Sequence, residues 1–286
     1  MRIVTWACLA LASGATFAQL PDVPATQLEQ APRPNAAAPL YRHTGEQYRV
    51  YEFPGTGEPV PYRLYVPETW TPEMKLPVLV TLRAGNSINN NHRGGNELVK
   101  LARERGYIVI SPLGYRGLSQ PYYGSPYPVD REAGPSVPAD GWTAQENRRA
   151  ELDVLYVLNL VAAEYNADVS RIFLHGQNPS GSAAFHFAAQ YPGLFSRIVV
   201  SAGPIISTSY PFDRLQGRVA VMMLAGEKDA KYTIAACERM ATELGQHGIE
   251  SSFHAVPNAE HLNAYLLFAP QLFDFLDSSG SRPASP

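Results

Sequence analysis

The sequence predicts an α/β protein, with a mostly parallel central sheet, an antiparallel N-terminal hairpin and helices on both faces. Three observations lead there. Short apolar runs such as Leu76 to Leu82, Ile172-Phe173-Leu174 and Val219 to Ala225 lack the alternation of a half-exposed strand, so both faces of each are covered. Helical segments separate those runs one by one, which is the connection parallel strands require. Near the start, Tyr48, Val50 and Phe53, then Tyr62, Leu64 and Val66, flank Pro54-Gly55-Thr56-Gly57. Two alternating runs around such a turn read as a hairpin.

The elements follow in order. Leu76 to Leu82 is a buried strand, and Leu98 to Glu104 a helix stopped by Gly106. Tyr107 to Ser111 is the next strand. Thr143 and Glu146 have the form of a capping box opening a long helix through Leu152, Leu155, Leu158, Leu160 and Val161. The charged stretch Glu146 to Glu151 reads as its solvated face. Ile172 to His175 is a strand, Ser182 to Gln190 a helix, and Ile198 to Ser201 and Val219 to Ala225 further strands. A helix from Thr233 to His247 stops at Gly248, Phe253 to Val256 closes the sheet, and the last helix carries Leu272, Phe273, Phe275 and Leu276.

No linker interrupts residues 41–277, so one domain is expected there. Residues 1–18 read as a secretory signal: Met1-Arg2, an apolar run from Ile3 to Phe17, then Ala18. Residues 19–40, rich in Pro and Ala, read as an extended lead-in, and residues 278–286 as a flexible tail. Export to the periplasm or medium is the expectation, with no membrane attachment once the signal is removed. Cys8 leaves with the signal and Cys237 stays alone, so no internal disulfide is expected.

Composition narrows the function. The chain of 286 residues carries 23 Lys and Arg against 26 Asp and Glu, a balance that lacks the basic field of a nucleic-acid binder. Its aromatic and aliphatic content is enough to repay chain entropy, which excludes disorder. No metal-ligand spacing and no phosphate-binding glycine loop occurs, so no metal or cofactor is expected. Asn86 to His92 reads as a polar loop. His175, His186, His247 and His254 read as packed residues rather than ligands.

The long loop from Pro112 to Trp142 has no periodicity, and such loops are usually functional when ordered. It follows a strand's carboxyl end, where ligands bind in open parallel sheets. Its Tyr115, Tyr122, Tyr123, Tyr127 and Trp142 suit an aromatic pocket wall, or equally a self-packed surface loop.

The strand, turn and helix at 171–190 read His175-Gly176-Gln177-Asn178-Pro179-Ser180-Gly181-Ser182, then Ala188-Ala189-Gln190-Tyr191-Pro192. With Tyr62 to Pro67 and Gly106 to Tyr115, this resembles the α/β-hydrolase superfamily, specifically the exported serine esterases and the prolyl-oligopeptidase-like (dienelactone-hydrolase-like) hydrolases. The resemblance implies the α/β-hydrolase fold, no cofactor, and an acyl substrate that is a small molecule or a polymer. It also implies that Gly226-Glu227-Lys228-Asp229 presents the acid Asp229 and Pro257 to His261 the histidine His261. The chain order of elbow, acid and histidine is that of the superfamily.

The elbow departs from the superfamily's Gly-x-Ser-x-Gly. Asn178 stands at the nucleophile position, and an amide has no proton to give up for attack on a carbonyl. Asn does tolerate the strained turn. Pro179 follows, where the backbone N–H should help bind the oxyanion, and proline has none. Losing one such donor costs roughly 10²–10³-fold in turnover. The second donor belongs to the loop after the strand Leu76 to Leu82, where Arg83-Ala84-Gly85-Asn86 replaces the superfamily's His-Gly. Ser180, two residues into the helix, is turned about 200° from Asn178 and should face away from His261. Asn178 as helix cap, with Pro179 in the first turn, explains the same residues structurally.

Three readings follow: a hydrolase of esters or amides with an atypical nucleophile such as Ser180; a catalytically silent pseudoenzyme that binds a ligand in the old cleft; and a non-hydrolytic enzyme with His261 as general base and Asn178 as hydrogen-bond donor. The binding residues common to them are Arg83, Ala84, Pro179, Tyr122, Tyr123, Tyr127 and Trp142.

Overall fold

The computed structural model describes residues 42–82, 97–112, 115, 144–177, 180–203, 210–229, 234–261 and 263–278. Strands β1 (Gly45–Glu52) and β2 (Pro59–Val66) pair antiparallel from Gly45↔Val66 to Glu52↔Pro59. The turn between them is closed by Phe53 N–H donating to the Glu58 carbonyl at 2.8 Å and Gly57 N–H to the Phe53 carbonyl at 2.9 Å. This is the hairpin the alternation predicts.

The remaining strands are β3 (Val78–Leu82), β4 (Ile108–Pro112), β5 (Ile172–Gln177), β6 (Arg197–Ser201), β7 (Ala220–Gly226) and β8 (Ser251–Val256). Together they form an eight-stranded sheet in the order β1-β2-β4-β3-β5-β6-β7-β8. From β4 to β8 every pairing is parallel, while β2 joins β4 antiparallel. The hairpin is therefore one edge of the sheet.

Helices α1 (Glu97–Arg105), α2 (Ala144–Glu164), α3 (Ser180–Gln190), α4 (Ile234–Gln246), α5 (Ala264–Leu267) and α6 (Ala269–Asp277) cover the faces. The strands run apolar throughout because alternate residues feed two cores. Val78, Val80, Leu82, Ile172 and Leu174 pack with α2, α3 and α4, whereas Leu79, Val109 and Phe173 pack with α1, α5 and α6. This period of two, hidden in continuous apolar runs, is what a doubly covered sheet dictates.

Candidate active site

Parallel strands deliver all their connections to the next helix at one edge, so β5, β7 and β8 bring three loops to the same end of the sheet. The loop after β7 is a tight turn in which Asp229 N–H donates to the Gly226 carbonyl at 3.0 Å. It is bonded to the loop after β8: Glu227 N–H reaches the Val256 carbonyl at 3.1 Å and Lys228 N–H the Ala259 carbonyl at 2.9 Å. Gly226 makes this docking possible, since a Cβ there would lie 2.4 Å from the Ala259 oxygen. Asn258 turns the second loop in a left-handed conformation (φ 60°), which Asn adopts more readily than most residues.

The two fused loops place Asp229 Oδ2 2.9 Å from His261 Nδ1. The Asp229 side chain is wholly buried and that of His261 is 22% exposed. A carboxylate at Nδ1 holds the neutral imidazole with its proton on that nitrogen, leaving the lone pair on Nε2. Nε2 itself is enclosed by the protein rather than facing bulk solvent. The pair thus has the form of a general base oriented by an acid. Glu260 N–H donates to Asn263 Oδ1 at 2.7 Å, which joins the histidine turn to the start of α5.

The strand β5 leads through the elbow position into the first turn of α3. Gly176 lets the helix cross its own strand closely, because a Cβ there would lie 2.2 Å from the Ser180 oxygen. Ser180 is 0% exposed and begins a helix buried through Ala189. Of the other residues singled out in sequence, Asn178, Pro179, Arg83, Ala84, Tyr122, Tyr123, Tyr127 and Trp142 lie outside the described residues, as do the signal, lead-in and most of the tail.

One expectation needs correction and one open alternative is narrowed. Tyr115 does not stand exposed on a pocket wall and sides with the self-packed reading of its loop. It is 1% exposed and packs in the core against Phe53, ring centroids 4.7 Å apart, with its hydroxyl donating to Glu58 and accepting from Arg149. Nor is Glu151 solvated. Helical periodicity puts it in register with Leu155 and Leu158, on the face that packs against α3. There it is 5% exposed, faces His186 Nε2 at 3.0 Å, and accepts from Arg148 and the Tyr191 hydroxyl.

Of the histidines read as packed, His175 and His186 are buried, His254 is partly buried and His247 is exposed. His247 stacks on Phe212 with centroids 4.2 Å apart, His254 on Phe268 at 4.8 Å, and His175 on Tyr265 at 4.8 Å. Cys237 is buried within electrostatic reach of Asp229. Burial first and that carboxylate second push its thiol up to about 12, so it stays protonated and inert. Among the described residues no cluster of three His, Cys, Asp or Glu is arranged to hold a metal, and no helix is long and apolar enough to cross a membrane.

Comparison with known proteins agrees with this architecture. Among solved structures, a thermostable esterase superposes with a TM-score of 0.60 at 16% identity, over 82% of this chain and 62% of that one. This chain therefore spans less than two thirds of that esterase. The S-formylglutathione hydrolase of Agrobacterium tumefaciens gives 0.58 at 13% identity, over 84% of this chain and 95% of the other. The fluorophosphonate-binding serine hydrolase F of Staphylococcus aureus gives 0.60 at 13%, over 82% and 99%. At such identities these matches establish the α/β-hydrolase fold alone. No curated protein matches the chain by sequence. The Esterase family model, however, matches residues 54–273, which spans β2 to β8 and both loops of the acid–histidine pair and leaves out β1. The chain belongs to the Esterase family.

Proposed function

We propose that this protein hydrolyses carboxylic esters or amides with His261 as general base, Asp229 as its orienting acid, and water rather than a serine as nucleophile. One observation carries the reading: the Asp229–His261 pair, 2.9 Å apart, assembled from two mutually bonded loops at the ligand-binding edge of the sheet. Asn178 has no proton to lose, and Ser180 is fully buried. These residues favour a route without an acyl-enzyme.

In that route Nε2 of His261 takes a proton from water as the water oxygen bonds to the carbonyl carbon. The proton passes to the leaving alkoxide or amine as the C–O or C–N bond breaks, and the base is regenerated. Such general-base assistance contributes about 10²–10⁴-fold. With Pro179 in place of an oxyanion donor, turnover is expected to be slow. The substrate is a small-molecule or polymer acyl compound met outside the cytoplasm, to which residues 1–18 direct the chain, and the domain that binds it is 41–277.

Pro179 also favours a second reading, the catalytically silent ligand binder. Purified protein assayed with a series of aryl esters, and separately with a fluorophosphonate probe, separates the two. Slow turnover without covalent labelling is the expected result. Labelling at Ser180 would refute the water route. Absence of turnover, with an aryl ester still bound, would establish the silent binder instead.

A further inference from the structure

We infer that His175, through its stack on Tyr265, is a positioning residue that sets His261 against the end of β5. The inference rests on His261 being the base of the site proposed above. His175 lies on β5 between Thr81 of β3 and Val199 of β6, three residues before Asn178. Its ring is 0% exposed and meets the ring of Tyr265, itself 1% exposed, with centroids 4.8 Å apart and planes at 38°. Among the described residues neither ring nitrogen of His175 has a hydrogen-bond partner. The ring therefore acts through its shape and π face, not through a proton.

Tyr265 belongs to α5, four residues after His261, and hydrogen bonds through Asn263 link the histidine turn to that helix. Glu260 N–H donates to Asn263 Oδ1 at 2.7 Å, and the N–H groups of Leu266 and Leu267 both reach the Asn263 carbonyl at 3.0 Å. Asn263 thus couples the histidine turn to α5. The coupled segment is held on one side by the Gly226–Ala259 contact and underneath by His175. The first contact fixes His261 relative to Asp229, and the second fixes it relative to the strand that leads into the elbow. Burial drives the His175 imidazole down to about 3, so the ring is neutral wherever the protein is folded and active, and the stack is not broken by protonation.

The test compares His175→Ala, His175→Phe and a control, Phe273→Ala. Phe273 packs edge-on against Tyr107 at 5.0 Å in the same apolar layer. Two readouts are taken. One is the far-downfield NMR proton of the His261–Asp229 hydrogen bond, identified by its loss in His261→Ala and recorded without substrate. The other is kcat/KM on aryl esters. His175→Ala is expected to shift or broaden the proton and to lower kcat/KM about tenfold or more, mostly in kcat, since small misplacements of a catalytic group are costly.

His175→Phe should restore both readouts. Phe273→Ala should lose stability while leaving the proton in place. If His175→Ala is too unstable to study, Tyr265→Leu removes the other ring and gives the same readouts. A wild-type proton and wild-type turnover in His175→Ala overturn the inference, as does an equal loss of both in Phe273→Ala. If the wild type proves inactive while its proton responds to His175→Ala, the positioning role stands and the hydrolytic reading falls.

Discussion

Two carboxylate–histidine pairs of almost the same length occur among the described residues. Asp229–His261 spans 2.9 Å and Glu151–His186 spans 3.0 Å. The first is built on loops at the edge of the sheet, with the histidine side chain 22% exposed. The second lies between two helices with both side chains at 7% exposure or less. Its carboxylate is also held by Arg148 and Tyr191. Burial alone would raise the Glu151 carboxyl, but the hydrogen bonds from His186 and Tyr191 and the Arg148 charge outweigh it and leave it below the usual carboxylate value. A carboxylate beside a histidine is therefore no signature by itself. Placement separates them: one pair sits on two loops at the end of the sheet, where the proposed reaction needs it, and the other fastens a helix.

The sharpest way to break the comparison is to delete one member of each pair. His261→Ala should lower kcat/KM by about 10²–10⁴-fold, the worth of a general base, with a smaller loss of melting temperature than Glu151→Ala because His261 is partly exposed and its removal admits water to Asp229. Glu151→Ala should do the reverse. It leaves buried polar groups without their acceptor and is expected to cost about 3–5 kcal/mol, measured by urea denaturation. If Glu151→Ala kept its stability and lost turnover, the assignment of the two pairs would be exchanged.

A milder change touches only the exposed pair. Gly226→Ala drives a Cβ into the Ala259 carbonyl and should cost about 1–3 kcal/mol, with a fall in kcat as the histidine loop retreats. The Glu151 network should be unaffected, so a double variant with Glu151→Ala should be additive in stability.

The effect that vanishes at neutral pH concerns a histidine with no carboxylate at all. Burial lowers His175 from 6.5 to about 3, so its native state refuses a proton that the unfolded chain accepts. That contribution to stability is intact above pH 6.5 and is lost progressively as the pH falls toward 3, at up to about 1.4 kcal/mol per pH unit. His175→Phe should flatten the acid limb of the stability curve by that slope, leaving the neutral region nearly unchanged. An unaltered slope would place the acid sensitivity elsewhere.

Much of this was legible in the sequence, for reasons that differ by element. The hairpin and each parallel strand announce themselves through local alternation, apolar runs and turn residues. Asp229 and His261 are legible through the resemblance to the α/β-hydrolases, and because each follows a strand by only a few residues the topology carries both to the same end of the sheet. Glu151 was misread because a charged run on a helix resembles a solvated face. Its burial depends on Tyr191 and His186, which arrive from a helix and turn tens of residues away. Tyr115 was left between two readings for the same reason, since its partner Phe53 belongs to the hairpin. The His175–Tyr265 stack joins residues ninety apart in number and leaves no periodic trace.

The burial of α3 has a kinetic consequence. Ten consecutive residues, Ser180 to Ala189, have no exposed face, so no local fraying can admit solvent to them. Their amides should exchange with deuterium only through opening of the whole domain, more slowly than those of α4 or α6, which keep an outer surface. Any reagent that marks Ser180 slowly and in proportion to added denaturant is then counting opened molecules, and its rate measures how long the folded state lasts.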